Sequence, residues 1–257
     1  MRQRSEKLFF KNSRGQRLAG GLHSPANALT KPCAGIVILH GFGSSKDGKA
    51  KKLARFFASR GYAALRFDFT GCGESGGALA GGIAKQEISD ARRAIGFLRR
   101  RGFKRIGVIG SSLGGFVAVS VAAIDKRVRA TVALCLPARF EGCDGVAKAR
   151  RANKILFIHG TADEVVPVQE SQALYAAARQ PKKLVLVRGA DHRFSQANHL
   201  RRVEREALAW FNKYLCDYEG ELNARTLKNI KQGEEDYATG RVYSTGQVLK
   251  KLGIKRG

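Results

Sequence analysis

Short apolar runs recur along most of the chain, and each is followed by a longer stretch in which apolar positions return every three or four residues. The runs are Ala34–Leu39 (AGIVIL), Tyr62–Phe67 (YAALRF), Arg105–Ile109 (RIGVI), Ala130–Cys135 (ATVALC), Ile155–Ile158 (ILFI) and Leu184–Val187 (LVLV). They are short, rich in β-branched residues and punctuated by Gly, Pro or Asp, which predicts strands buried on both faces. The intervening stretches predict helices over Gly48–Ser59, Lys85–Arg101, Leu113–Ile124, Gln169–Ala178 and Leu200–Leu215. Strand–helix alternation of this kind gives an α/β fold, a mostly parallel central sheet with helices on both faces. Lys7–Phe10 and Arg17–His23 predict an antiparallel start. The pattern fades after Leu215, so the expected organisation is one domain over 1–216 and a polar, helical extension over 217–257. Two short helices are expected in that extension, about Leu222–Lys231 and Thr245–Leu252.

The chain has 257 residues, 44% of them hydrophobic, enough for one sizeable core. It has no run of eighteen apolar residues, and its N-terminus (MRQRSEKLFFKNSRGQ) lacks the apolar stretch of a signal peptide. The five cysteines (Cys33, Cys72, Cys135, Cys143, Cys216) are odd in number and form no C-x-x-C pair. Free thiols and a cytoplasmic location are therefore expected, with neither a disulfide framework nor a zinc site. The charge is unusual: 47 Lys+Arg against 21 Asp+Glu, net +26. Residues 217–257 hold 8 basic and 6 acidic residues, so nearly all of the excess belongs to the body. Non-specific polyanion binding at low salt is expected from charge alone. The basic residues lie along predicted helices and are not interleaved with aromatics, which argues against a base-stacking surface.

Chemistry concentrates where predicted strands end. Gly110-Ser111-Ser112-Leu113-Gly114 follows RIGVI and opens a helical stretch. A serine on a sharp strand-to-helix turn is raised toward substrate, and glycines beside it relieve the crowding. The helix that follows directs its amide groups at a developing oxyanion. A serine needs a base. Of the five histidines, His23 and His199 read as surface residues and His159 as a packed strand-end residue. His192, in the loop after the last predicted strand, should emerge at the same sheet edge as Ser112. Asp163, after ILFIHG, should reach that edge too and orient the imidazole. Glu164 is its nearest rival, and Asp191 is too close in sequence to His192 to meet its ring. His40-Gly41-Phe42-Gly43 follows AGIVIL, so the amides of Phe42 and Leu113 are the candidate oxyanion hole.

The segments HGFGSSKDG, LRFDFTGCGESGG, GVIGSSLGG, ILFIHGTADEVVP and VRGADHRF resemble the α/β-hydrolase superfamily, most closely the small feruloyl (cinnamoyl) esterases and serine-aminopeptidase-like hydrolases. The resemblance spans roughly residues 5–215. It implies an eight-stranded sheet and ester hydrolysis through an acyl-enzyme on Ser112, with Asp163, His192, Phe42 and Leu113 in the roles above. It also implies a supporting position for Asp68. Feruloyl esterases of this type often insert a lid after the sixth strand, whereas only Leu136 to Lys154 join ATVALC to ILFI here. Little or no lid and a shallow, open acyl pocket are expected. The segment Glu234–Gly253 resembles the C-terminal region of RelB-like antitoxins, which implies contact with a protein partner.

The expected activity is thus a serine esterase or acyl hydrolase acting on a small-molecule ester, with no metal or cofactor needed. Two rivals stand beside it. One is a peptidase or amidase using the same three groups. The other is a non-catalytic basic binding protein on a hydrolase fold, which would have no need of all three.

Overall fold

In the computed structural model the apolar runs all form strands. In chain order the elements are β1 (Gln3–Lys11), β2 (Arg17–Pro25), β3 (Gly35–Leu39), α1 (Lys49–Ser59), β4 (Ala63–Phe67), α2 (Ile83–Arg100), β5 (Ile106–Ser111), α3 (Leu113–Ile124) and β6 (Val128–Leu134). Then come β7 (Arg139–Phe140), β8 (Cys143–Asp144), α4 (Gly145–Ala149), β9 (Ile155–Gly160), α5 (Val168–Ala177), β10 (Lys182–Val187) and α6 (Ala197–Leu215). The structure describes residues 3–25, 34–79, 82–216 and four positions of the tail, Gln232, Glu235, Asp236 and Thr239. The two expected tail helices and most of the antitoxin-like segment lie outside the described residues. The chain divides into two units, Met1–Cys216 and Asp217–Gly257.

Eight strands form one sheet in the order β1-β2-β4-β3-β5-β6-β9-β10. The β1–β2 and β2–β4 pairs are antiparallel, and every pair from β4 to β10 is parallel. Adjacent strand residues face opposite sides, so one strand feeds two cores. Ile36 and Ile38 pack with Leu53 and Phe57 of α1 and Phe211 of α6. Val37 and Leu39 pack with Ile95 and Leu98 of α2 and Val117 of α3. A third cluster joins Val119, Phe157 of β9 and Leu174 of α5. Full burial of a side chain such as Phe57 contributes about 2–3 kcal/mol, so these layers supply most of the driving force.

Two features position the site. The chain passes from β3 to β4 on one side of the sheet, then returns to β5 on the other side of β3. The loops leaving β3 and β5 therefore diverge and open a crevice at the carboxyl ends of the strands. The connection between β6 and β9 holds only the two-residue strands β7 and β8 and the five-residue α4, so no cap is built there.

Candidate active site

Ser112 sits between β5 and α3 with φ 55° and ψ −122°, a backbone conformation that a non-glycine residue adopts only when its surroundings force it. The surroundings are visible. A Cβ on Gly110 would lie 2.0 Å from the Gly114 carbonyl oxygen, and one on Gly114 would lie 2.5 Å from the carbonyl oxygens of Leu39 and His40. These glycines are thus required by close backbone approach. The Ser112 amide donates to the Leu134 carbonyl at 2.8 Å, which ties the turn to the end of β6.

His192 lies in the loop after β10. Its Nδ1 stands 2.8 and 3.0 Å from the two carboxylate oxygens of Asp163, so Nδ1 carries the proton and donates it, leaving Nε2 as an acceptor. Ser112 and His192 line the same cavity, of about 880 Å³. Among the described residues no hydrogen bond joins the Ser112 hydroxyl to the His192 ring. Such contacts are commonly loose before substrate binds. Among the described residues Glu164, the rival acid, makes no hydrogen bond or ion pair with the imidazole, and Asp191 instead accepts from the amide and hydroxyl of Ser195.

Asp163 is more elaborately held than the sequence indicated. Its Oδ1 accepts from the amides of Val165 and Val166, both at 2.9 Å. His159, fully buried, places Nε2 3.1 Å from Asp163 Oδ2 and 2.9 Å from the Val166 carbonyl. Both partners are acceptors, so Nε2 bears the proton and Nδ1 faces the Ser171 hydroxyl at 2.6 Å. Burial lowers the His159 pKa and keeps the ring neutral. The buried Cys135 thiol, just past the end of β6, lies within 4.8 Å of the same carboxylate. Burial pushes the Asp163 pKa up, but the Val166 amide, His192, Cys135 and the Val165 amide more than offset it, and the net shift is downward. Asp163 is therefore an anion over the working range of the site.

His159 was expected to be a packed strand-end residue. It is one, and it also orients the candidate acid. Cys135 carried no signal at all, because its role depends on β6 lying beside β9. Cys135 Sγ, an Asp163 oxygen and a His192 ring nitrogen lie within 4.8 Å of one another, a spacing that a metal ion could bridge. The carboxylate is already committed to the imidazole, however, and burial pushes the Cys135 thiol pKa up, away from the thiolate a metal requires.

The loop after β3 carries His40, Gly41 and Phe42. His40 donates from Nδ1 to the Gly41 carbonyl at 2.9 Å and accepts at Nε2 from the Phe69 amide at 3.1 Å. It is thereby a clamp on this loop, and its pKa is lowered by burial. Farther along, Lys46 Nζ meets the fully buried Asp68 carboxylate at 2.8 Å, and its amide donates to the other oxygen at 2.7 Å. Asp68 supports the loop and is remote from chemistry in that sense. Phe42 is 62% exposed and lines the cavity, and its amide makes no backbone hydrogen bond among the described residues. The Leu113 side chain is buried in the core, which leaves the first amide of α3 at the elbow.

The cavity is larger than the short β6–β9 connection suggested. Its walls come from elsewhere: the β3–α1 loop, one side of α1 including Lys49, Lys52 and Arg55, and the His192–Leu200 stretch. Lys49 is the third residue whose place the sequence did not indicate.

A mostly parallel sheet with a positive-φ serine after β5 and an Asp–His pair after β9 and β10 is the α/β-hydrolase fold. The alpha/beta hydrolase family model matches residues 36–156, and the prolyl oligopeptidase family model matches residues 137–217. The uncharacterized protein PA2218 of Pseudomonas aeruginosa is 36% identical over 130 residues, which are 49% of this chain and 35% of that protein. The match thus spans about a third of that relative's length. The uncharacterized protein YfhR of Escherichia coli strain K12 is 26% identical over 233 residues, 80% of each chain. Among solved structures, the esterase domain of a Rhodothermus marinus protein superposes with a TM-score of 0.68 at 28% identity, covering 82% of this chain and all (100%) of that one.

Among the described residues no helix is long and apolar enough to cross a membrane. Among the described residues Cys72, Cys135 and Cys143 are free thiols.

Proposed function

We propose that the protein is a serine hydrolase that cleaves carboxylic esters through an acyl-enzyme on Ser112. The observation that carries this reading is the strained Ser112 sharing one cavity with a His192 whose far nitrogen is held by Asp163. Ser112 Oγ attacks the ester carbonyl carbon while its proton passes to His192 Nε2. The resulting oxyanion is held by the amides of Phe42 and Leu113. The carbon–oxygen bond to the alcohol then breaks, and His192 returns the proton to the departing oxygen. Water, deprotonated by His192, attacks the acyl-enzyme, and Ser112 Oγ leaves with that proton, releasing the acid. Asp163 stays ionised throughout and stabilises the imidazolium. The exposed Phe42 and Val165 at the cavity rim offer apolar contact to the ester.

Ser112→Ala should abolish hydrolysis of short p-nitrophenyl esters and labelling by a fluorophosphonate, with an unchanged circular dichroism spectrum. Undiminished turnover in that variant overturns the reading. A second reading, amide or peptide hydrolysis by the same groups, is favoured by the prolyl oligopeptidase match over residues 137–217. It predicts faster release of p-nitroaniline from an aminoacyl anilide than of p-nitrophenol from the ester of matching acyl group. The fold, the cavity and the three side chains serve both.

A further inference from the structure

The catalytic cavity contains a cation that the acyl-transfer steps do not use. Lys49, the first residue of α1, lines the same cavity as Ser112 and His192. Its ammonium donates to the Ser111 hydroxyl at 3.2 Å and stands 5.4 Å from the centre of the Phe194 ring. No carboxylate comes within ion-pair distance of it among the described residues. The two acids whose charge it feels, Asp191 and Asp163, are both committed elsewhere, Asp191 to Ser195 and Asp163 to His192, His159 and two amides. Burial lowers the Lys49 pKa, as expected for a cation short of counter-charge. Lys52, Arg55 and Arg193 line the same cavity, where Asp47 is the one acid among the lining residues.

A half-buried ammonium without a carboxylate loses part of its hydration and gains no counter-charge in return. The neighbouring Lys46 shows what a structural lysine looks like in this fold: it contacts Asp68, Asp47 and Glu74 at 2.8, 3.1 and 2.6 Å. Lys49 lacks such a set and faces the space where an ester would lie. We infer that the site selects esters bearing an anionic group, a carboxylate or phosphate close to the scissile carbonyl, and that Lys49 is the residue that reads it. This rests on the ester-hydrolase reading above and names its substrate class. The additional cations at the mouth raise the local concentration of such substrates.

The test is a ratio of kcat/KM values for matched ester pairs. On the acyl side, p-nitrophenyl hemisuccinate is compared with p-nitrophenyl butyrate; on the alcohol side, 4-carboxyphenyl acetate is compared with phenyl acetate. In the wild-type protein at low salt one of the two anionic esters should be preferred at least tenfold, and the preferred arm tells on which side the anion sits. The preference should shrink as sodium chloride is raised to 0.5 M, about where screening shortens the reach of charge to a few ångströms. Lys49→Met should lower the ratio at least tenfold, and Lys126→Met, at an exposed position in the α3–β6 turn, should leave it unchanged. Because the wild-type ratio is read first, the inference does not depend on the folding of the variant. An enzyme that is labelled by the fluorophosphonate and hydrolyses neutral esters, yet shows no anionic preference in either arm, overturns the inference and leaves the hydrolase reading standing. A preference that survives Lys49→Met overturns the role of Lys49. Absence of labelling and of all turnover removes both readings.

Discussion

Two sets of polar groups meet at the carboxyl edge of the sheet, and they differ in how completely their bonds are made. In the frame beneath the loops, Lys46 contacts three carboxylates, Asp68 accepts from Lys46 and the Glu74 amide, and Asp163 accepts from two amides and two imidazoles. In the cavity wall, the Ser112 hydroxyl, the far nitrogen of His192, the Phe42 amide and the Lys49 ammonium lack those partners. The frame groups are buried and satisfied, as buried polar groups normally are, whereas the wall groups border open space in the cavity. The frame bears the stability cost, and the wall keeps its bonding capacity for substrate.

The sharpest challenge to that division is Asp163→Asn, which keeps the shape of the frame and removes the charge and acceptor that fix the His192 tautomer. Turnover of p-nitrophenyl esters should fall by roughly 10³–10⁴, with little change in melting temperature. A fall below tenfold would mean that His192 is oriented by something else. Next in size is Lys46→Met, which leaves Asp68 buried without its cation. Breaking such a pair costs about 3–5 kcal/mol, so denaturant unfolding should shift strongly. An unchanged midpoint would show that this lysine is not part of the frame.

A third challenge comes from Glu87 on α2, which is buried, has one carboxylate oxygen without a partner, and has its pKa raised to about 8 by burial and then by Asp90 and Glu141. A carboxyl whose folded pKa exceeds its unfolded value of 4.5 binds a proton more tightly in the native state. The stability it supports is complete below about pH 4.5 and declines as pH rises to about 8. Glu87→Gln should flatten that decline and raise stability at pH 8 by about 1–3 kcal/mol. Identical pH dependence of melting in both proteins would refute the assignment. The smallest effect is expected at His159→Gln. It loses one hydrogen bond to a charged acceptor, worth about 1.5 kcal/mol, or roughly tenfold in kcat. KM should be nearly unmoved, since His159 touches Asp163 and not the cavity; a change confined to KM would contradict a positioning role.

The strands were legible because a parallel sheet buries both faces, which forces runs such as GIVIL of β3 that no exposed element tolerates. Helix bounds agreed to within a few residues, with α6 opening at Ala197 rather than near Leu200 because polar first-turn residues hide its start. Ser112, Asp163 and His192 were readable for a related reason. Each follows a strand, and parallel strands deliver their loops to one edge. The size of the cavity was not readable. The absence of a lid suggested a shallow pocket, but the walls are made by α1 and the loop before α6, which lie far from the β6–β9 connection in sequence.

Local pattern determined that Ser112, Asp163 and His192 each follow a strand, and parallel topology leaves little freedom in where those loops end. Tertiary packing decided the rest. Cys135 and His159 converge on one carboxylate only because β6 and β9 are neighbours in register. Two lysines three residues apart, Lys46 and Lys49, differ in their partners only through what lies beside them: three carboxylates for one, a serine hydroxyl and the cavity for the other. Partner identity is a property of contacts between distant segments, and no local pattern encodes it.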